Sequence, residues 1–268
     1  MRVVLGVAYR GQAYQGWQSQ PGGQTVQDRL EHALGRFAGE PLARTVCAGR
    51  TDTGVHALNQ VVHVDTAIRR EPASWVRGTN RFLPADIAIQ WCRLIEPMGD
   101  DTPHAFHARF SAIGRRYVYV LLESPVRPAV EAGSVGWCFR SLDGDAMRRA
   151  AQLLIGEHDF SAFRSAECQA PSPIKTIRSI EITKRGAYWR LEFDASAFLH
   201  HMVRNLMGCL LAVGTGARDT EWLARVLAGR DRRLAAPTFS ADGLYFAGPY
   251  YDPVHAMPER TAALDWLP

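Results

Sequence analysis

The order of the predicted secondary-structure elements constrains the fold of this chain more than any other feature. A strand over Arg2–Tyr9, a helix that begins after Thr25, two strands, a helix that begins at Pro72 and a strand over residues 87–94 follow one another. This β-α-β-β-α-β order is the ferredoxin-like arrangement. It predicts an α+β unit in which the helices cover one face of an antiparallel sheet.

The second half of the sequence repeats this order with longer insertions. The predicted elements are a strand at 116–123, a helix at 143–155, a hairpin at 175–183 and 188–193, helices at 202–213 and 222–227, and a strand at 243–247. We therefore expect two ferredoxin-like halves, 1–103 and 104–268, joined through a largely antiparallel central sheet with helices on the outside. Their boundary is expected near residues 100–103, and residues 248–268 are expected to form a loosely packed tail.

Composition excludes several classes of protein. The 268 residues are 47% hydrophobic and 22% charged, which is typical of globular domains and not of disordered or fibrous chains. No run of about 18 apolar residues predicts a membrane-spanning helix, and residues 1–7 fit a first strand better than a secretory signal. Five cysteines without a C-x-x-C pair indicate neither a zinc ribbon nor a disulfide framework. We expect a cytoplasmic protein.

Almost all of the basic residues are arginine. The chain has 31 lysines and arginines, of which only Lys175 and Lys184 are lysine, and its formal net charge is +4. Arginine binds phosphate bidentately and stacks on bases, so a nucleic-acid partner is one interpretation. A GC-rich genome that favours arginine codons is the other, and composition leaves both open.

The polar segment 49–58 carries the densest functional chemistry. It lies between predicted strands at 44–48 and 61–65, and two of its glycines bracket Arg50 and Asp52, as in a tight loop that approaches a ligand closely. An aspartate beside an arginine is often only a surface ion pair. Held ionised, it also suits a nucleophile or an electrostatic stabiliser at a sugar or base.

Residues 52–54 also spell the D-T-G sequence of aspartic proteases. Those enzymes need two carboxylates that share a proton, and the sequence has no second copy of this motif. Arg50 would in addition keep Asp52 ionised, which prevents proton sharing. The protease interpretation is therefore rejected.

Residues 49–57, GRTDTGVHA, closely resemble the G-R-T-D-x-G-V-H-A signature of the tRNA pseudouridine synthase A family, with Thr53 where the common form has alanine. The likeness extends over nearly the whole chain. Further similar segments lie at residues 9–18, 25–31, 106–112, 116–119, 156–160, 197–205 and 236–245.

This resemblance implies a role for each of five residues. Asp52 would be the catalytic carboxylate, and Arg50 would help to hold the flipped nucleotide. Tyr117 would pack against the target base and assist proton transfer. Arg204 would pair with Asp52, and Leu244 would form a wall of the base pocket.

The resemblance also implies a substrate and a reaction. The partner would be tRNA, bound by a homodimer, and uridines 38, 39 and 40 of the anticodon arm would be converted to pseudouridine. Because the reaction is an isomerisation, no redox cofactor, nucleotide or metal is expected. His200 and His201, taken as helical neighbours, would point apart and chelate a metal poorly.

Two alternatives remain open at this point. The first is a non-catalytic RNA-binding protein on the same scaffold, which would bind tRNA with or without an intact Asp52. The second is a carboxylate-dependent glycoside hydrolase, for which the sequence offers no clear second catalytic carboxylate.

Overall fold

A computed structural model of the chain describes residues 1–96 and 106–258. The chain divides into two compact units, the first built from Met1–Ile113 and a returning segment that starts at Phe246, and the second from Gly114–Tyr245. The boundary expected at residues 100–103 lies outside the described part. Among the described helices, none is long and apolar enough to cross a membrane.

The first unit has the ferredoxin-like order that the sequence predicts. Its elements are β1 (Arg2–Tyr9), α1 (Val26–Ala38), β2 (Val46–Cys47), β3 (His56–Asp65), α2 (Pro72–Asn80) and β4 (Ile87–Ile95). Strand β1 pairs antiparallel with β3 on one side and β4 on the other, and β2 pairs antiparallel with β3. The order β4-β1-β3-β2 confirms the predicted fold of this half.

Strand β3 begins five residues earlier than the sequence suggests, and β2 is shorter. The pairing with β1 explains the difference, because Tyr9 at the end of β1 lies opposite Ala57. Partner strands are extended by the hydrogen bonds that a neighbour offers, which periodicity does not show. The polar loop therefore ends at Val55, and His56 is already part of the sheet.

Helix α1 begins as predicted directly after Thr25, which is its N-cap residue. The Thr25 hydroxyl oxygen accepts a hydrogen bond from the Asp28 amide at 3.2 Å, which satisfies one of the free donors of the first turn. Leu30 and Leu34 are completely buried. The helix thus buries one apolar face, and its start is defined by the cap.

The second unit contains the other ferredoxin-like sheet. The remaining elements in chain order are β5 (Ala112–Glu123), β6 (Gly136–Cys138), α3 (Gly144–Gln152), β7 (Gly156–Asp159), β8 (Ile174–Arg185), β9 (Tyr188–Ala195), α4 (Met202–Gly214), α5 (Thr220–Gly229) and β10 (Leu244–Tyr251). Within this unit the strand order is β5-β9-β8-β7, with β6 paired to β5 in parallel, and β10 begins here at Leu244 and belongs to the first unit from Phe246 onward. The chain order β5-α3-β8-β9-α4-β10 again follows the β-α-β-β-α-β pattern with insertions, and the α+β class is confirmed.

The segment after Gly248 is better ordered than the expected loose tail. Strand β10 continues to Tyr251, whose hydroxyl donates a hydrogen bond to the Ala108 carbonyl at 2.7 Å. The ring of Tyr251 also meets Phe106 edge-on, with ring centroids 4.9 Å apart. The expectation was wrong for residues 248–251, because their contacts are made with a segment far away in sequence.

His63 on β3 also holds the segment around Ala108. It is 4% exposed, and its Nδ1 accepts a hydrogen bond from the Ala108 amide at 3.1 Å. Burial, reinforced by the charge of Arg2, lowers the pKa of His63 to about 4. The imidazole therefore stays neutral at neutral pH, as an accepting nitrogen requires.

The stability of the fold is expected to decrease as the pH falls from 6.5 towards 4. In this range His63 is protonated in the unfolded chain, where its pKa has the ordinary value of 6.5, but it stays neutral in the folded protein. The loss amounts to at most about 3 kcal/mol at pH 4. Urea unfolding of the wild type and His63→Asn, whose amide oxygen can replace Nδ1 as acceptor, measures it as the difference in pH dependence. Identical pH profiles would contradict the assignment.

Candidate active site

Residues 49–55, here called the aspartate loop, connect β2 to β3 and carry Arg50 and Asp52. The first anchor of the loop is Gln60, which is completely buried. Its Nε2 donates to the Gly49 carbonyl at 2.5 Å, and its Oε1 accepts from the Gly49 amide at 3.4 Å. A buried amide that pairs with both backbone groups of one residue fixes that residue as a strand neighbour would.

The second anchor holds Thr51, two residues further along. The hydroxyls of Thr51 and Tyr9 are 2.8 Å apart in a buried contact, and the Trp17 amide donates to the Thr51 carbonyl at 3.0 Å. Burial raises the pKa of Tyr9, so its phenol keeps its proton.

Arg50 and Asp52 alternate with these anchored residues. Gly49 and Thr51 are held from the core, whereas Arg50 is exposed and Asp52 is partly buried. The Asp52 carbonyl accepts the Val55 amide at 3.1 Å, and Gly54 has a φ of 83°, which closes the loop in a turn that favours glycine. The loop thus presents a guanidinium and a carboxylate on a rigid backbone.

The loop is also supported by the segment that follows β1. At Gly16 a Cβ would lie 2.7 Å from the Thr51 carbonyl oxygen, and the φ of 81° is left-handed, so only glycine fits. The Gly11 amide donates to Nδ1 of the buried His56 at 3.1 Å. Sequence reasoning did not assign these supporting roles, although the glycines at positions 11 and 16 were a visible signal of close backbone approach.

Tyr9→Phe is expected to loosen the aspartate loop without disrupting the core. The change removes one hydroxyl and leaves the buried Thr51 hydroxyl without this partner, which costs about 1 kcal/mol of unfolding free energy. The double variant Tyr9→Phe/Thr51→Val should cost less than the sum of the two single variants. Urea unfolding and amide exchange of residues 49–55 measure both effects, and strict additivity would show that the two hydroxyls are not coupled.

Three predicted site residues lie in the second unit. Tyr117 lies on β5, and its ring meets Phe198 edge-on at a centroid distance of 5.1 Å. Arg204 lies on α4, where its Nε donates to the Phe239 carbonyl at 2.9 Å and its own carbonyl accepts the Phe239 amide at 3.1 Å. Leu244, at the start of β10, is 3% exposed. The structure therefore places Arg50 and Asp52 on one unit and these three residues on the other.

His200 and His201 differ from the sequence-based description. They lie in a turn before α4 rather than within a helix, and His201 has a φ of 61°. Because this left-handed residue bends the chain, the two rings come within 4.1 Å between centroids. The assumption that they point apart was wrong; the absence of a metal remains a prediction.

The fold and the loop together define a class of protein. It is an α+β protein with ferredoxin-like sheets, one of which carries a rigidly anchored loop that presents an aspartate and an arginine. The family model described as tRNA pseudouridine synthase matches residues 6–98 and 150–252. Proteins called tRNA pseudouridine synthase A from Methylibium petroleiphilum, Polaromonas naphthalenivorans and Paracidovorax citrulli are 71%, 63% and 61% identical to the chain, each over the full length of both sequences. The chain belongs to the tRNA pseudouridine synthase family.

Proposed function

We propose that the protein isomerises uridines 38, 39 and 40 in the anticodon stem-loop of tRNA to pseudouridine, with Asp52 as the catalytic carboxylate. The observation that carries this proposal is the aspartate loop, in which buried groups fix Gly49 and Thr51 and leave Asp52 only partly buried. A relative that is 71% identical over the whole chain carries the name tRNA pseudouridine synthase A. The enzyme is thus an isomerase.

The reaction explains why one carboxylate on a rigid loop suffices. The bond between N1 of uracil and C1′ of the ribose breaks, the base turns, and C5 bonds to the same C1′. C5 then loses its proton, and N1 ends with one, so atoms and electrons balance without a cofactor. Asp52 serves as nucleophile or as stabiliser of developing charge, and both roles need an ionised and well-positioned carboxylate.

Arg50 is proposed to hold the flipped nucleotide. A base inside a stack cannot be reached, and extruding it costs a few kcal/mol. Arg50 is exposed on the anchored loop, two residues from Asp52, so a phosphate that contacts it is held beside the carboxylate. A bidentate guanidinium–phosphate contact offsets part of the extrusion cost.

Tyr117, Arg204 and Leu244 are proposed to complete the site from the second unit. Tyr117 would stack on the uracil and assist proton transfer, and Leu244 would form an apolar wall of the pocket. Arg204 would pair with Asp52 and keep it ionised, which opposes the rise in pKa that burial causes. The family resemblance around each residue supports these roles, together with the fixed backbone of Arg204 at Phe239.

The family resemblance also supports a proposal for the oligomeric state, location and cofactor use of the protein. We propose a cytoplasmic homodimer that acts on tRNA without metal or other cofactor. The half formed by residues 1–103 would carry the catalytic aspartate, and the half formed by residues 104–268 would supply the remaining pocket residues.

The positions of modification are tested with three tRNA transcripts that each carry a single uridine at position 38, 39 or 40. Carbodiimide treatment and primer extension should show a stop at that position in every transcript after incubation with the enzyme. A fourth transcript without uridine at these positions should show none. Tight binding of all transcripts without any stop would favour the non-catalytic RNA-binding alternative and contradict the proposal.

A further inference from the structure

We propose that Arg109 and Phe110 form a tRNA contact in which an unpaired base stacks on the Phe110 ring while Arg109 binds a neighbouring phosphate. This inference rests on the proposed function, since it takes tRNA as the ligand. It adds a binding element outside the aspartate loop and outside the five residues assigned to the reaction.

Phe110 is an aromatic residue that lies largely in solvent. This residue is 75% exposed, although burial of a phenylalanine side chain is normally favourable. One neighbour stacks on it: the ring of His107 lies 4.3 Å away between centroids at an interplanar angle of 27°. The guanidinium carbon of Arg109, itself an exposed residue, lies 5.6 Å from the centre of the Phe110 ring.

The backbone that carries these two side chains is rigid. His107 Nδ1 accepts hydrogen bonds from the amides of Arg109 and Phe110, both at 3.1 Å. The amide of His107 donates to the Ser111 hydroxyl, and the Ser111 amide donates to the His107 carbonyl, both at 2.9 Å. With the Ala108 amide bound to a buried histidine, every backbone amide from residue 107 to residue 111 is hydrogen-bonded.

The backbone at the start of this turn is also hydrogen-bonded to three side chains of the first unit. Arg2 donates to the Phe106 carbonyl at 2.5 Å, Tyr251 donates to the Ala108 carbonyl at 2.7 Å, and His63 accepts the Ala108 amide. Phe110 is therefore not exposed because its loop is loose. A fully bonded turn holds a flat apolar ring in water, which lowers the ordering cost of binding a ligand there.

The chemistry of the pair favours a single-stranded nucleic acid as the occupant. Aromatic rings accept any base by stacking, and an adjacent arginine supplies the charge for the phosphate that accompanies each base. A purely apolar protein partner would not need the guanidinium beside the ring. The loops of a tRNA offer both unstacked bases and phosphates, whereas a duplex would not expose a base face.

The test is the tRNA affinity of Phe110→Ala, measured by fluorescence anisotropy over a salt series. We expect the Kd to rise about tenfold, since one stacked base is lost, with the slope of log Kd against log salt unchanged. Phe110→Tyr, which keeps the ring, should stay within about twofold of the wild type. Arg109→Ala should instead reduce the salt slope by about one.

Phe110→Leu guards against a folding defect, because it keeps apolar volume but loses the flat ring. It should weaken tRNA binding as much as Phe110→Ala while melting like the wild type. Wild-type affinity in both variants overturns the inference, and so does a change of oligomeric state in sedimentation velocity with unaltered tRNA binding, which would assign Phe110 to a protein interface. Failure of the wild type to form pseudouridine would contradict the proposed function alone.

Discussion

Asp52→Asn is expected to abolish pseudouridine formation, with a loss of about 10⁴-fold or more in the single-turnover rate. The asparagine amide has nearly the shape of the carboxylate but neither its charge nor its nucleophilicity. Removal of a central catalytic group lowers the rate of an enzyme by factors of this size. The aspartate loop should keep its structure, because its anchors at Gly49 and Thr51 do not involve the Asp52 side chain. Nucleoside chromatography of digested tRNA measures the rate.

Two measurements make this result specific. The tRNA affinity of Asp52→Asn should stay within about tenfold of the wild type, because binding depends on many phosphate contacts. Thr53→Ala, a change at an exposed neighbour that restores the common family residue, should keep the rate within about threefold. Substantial pseudouridine formation by Asp52→Asn would remove this residue from the proposed chemistry.

Arg204→Met is expected to reduce turnover strongly, by about 10²-fold or more, while tRNA affinity again changes by less than tenfold. If Arg204 stabilises the ionised form of Asp52, its loss leaves a partly buried carboxylate with a raised pKa. The acidic limb of the pH–rate profile should therefore move to higher pH. Single-turnover rates across the pH range measure both effects.

A matched variant separates this electrostatic role from a structural one. Arg204 also bonds the Phe239 carbonyl, so Arg204→Met removes a local contact as well. Arg204→Lys retains the positive charge, and it should recover part of the rate and return the acidic limb towards that of the wild type. An unshifted pH profile in both variants, or unchanged turnover in Arg204→Met, would show that the proposed pairing is mistaken.

The fold could be predicted largely because its signals are local. The alternation of residues in strands, the cap at Thr25 and the proline that starts α2 can each be recognised within a short segment, and they sufficed to predict two β-α-β-β-α-β orders. The predictions failed where contacts between residues far apart in sequence determine the structure. Strand β3 starts at His56 because β1 offers hydrogen bonds there, and Tyr251 is ordered by Ala108, which is 143 residues away in sequence.

The candidate site was likewise predicted only in part. Arg50 and Asp52 were found because a glycine-bracketed polar loop is visible in the sequence. The groups that hold them were not, because nothing in the sequence around Gln60 shows that its side chain bonds the backbone of Gly49, and Tyr9 contacts Thr51 across 42 positions. Likewise, no local pattern predicted the left-handed backbone of His201.

Tritium release from tRNA labelled at uridine C5 tests the central claim most directly, because formation of the new carbon–carbon bond must expel the hydrogen at C5. The wild-type enzyme should release this tritium from tRNA with uridines at positions 38 to 40, and Asp52→Asn should release none above background. No release by the wild type, or equal release by both proteins, would contradict the account of this chain as an aspartate-dependent isomerase.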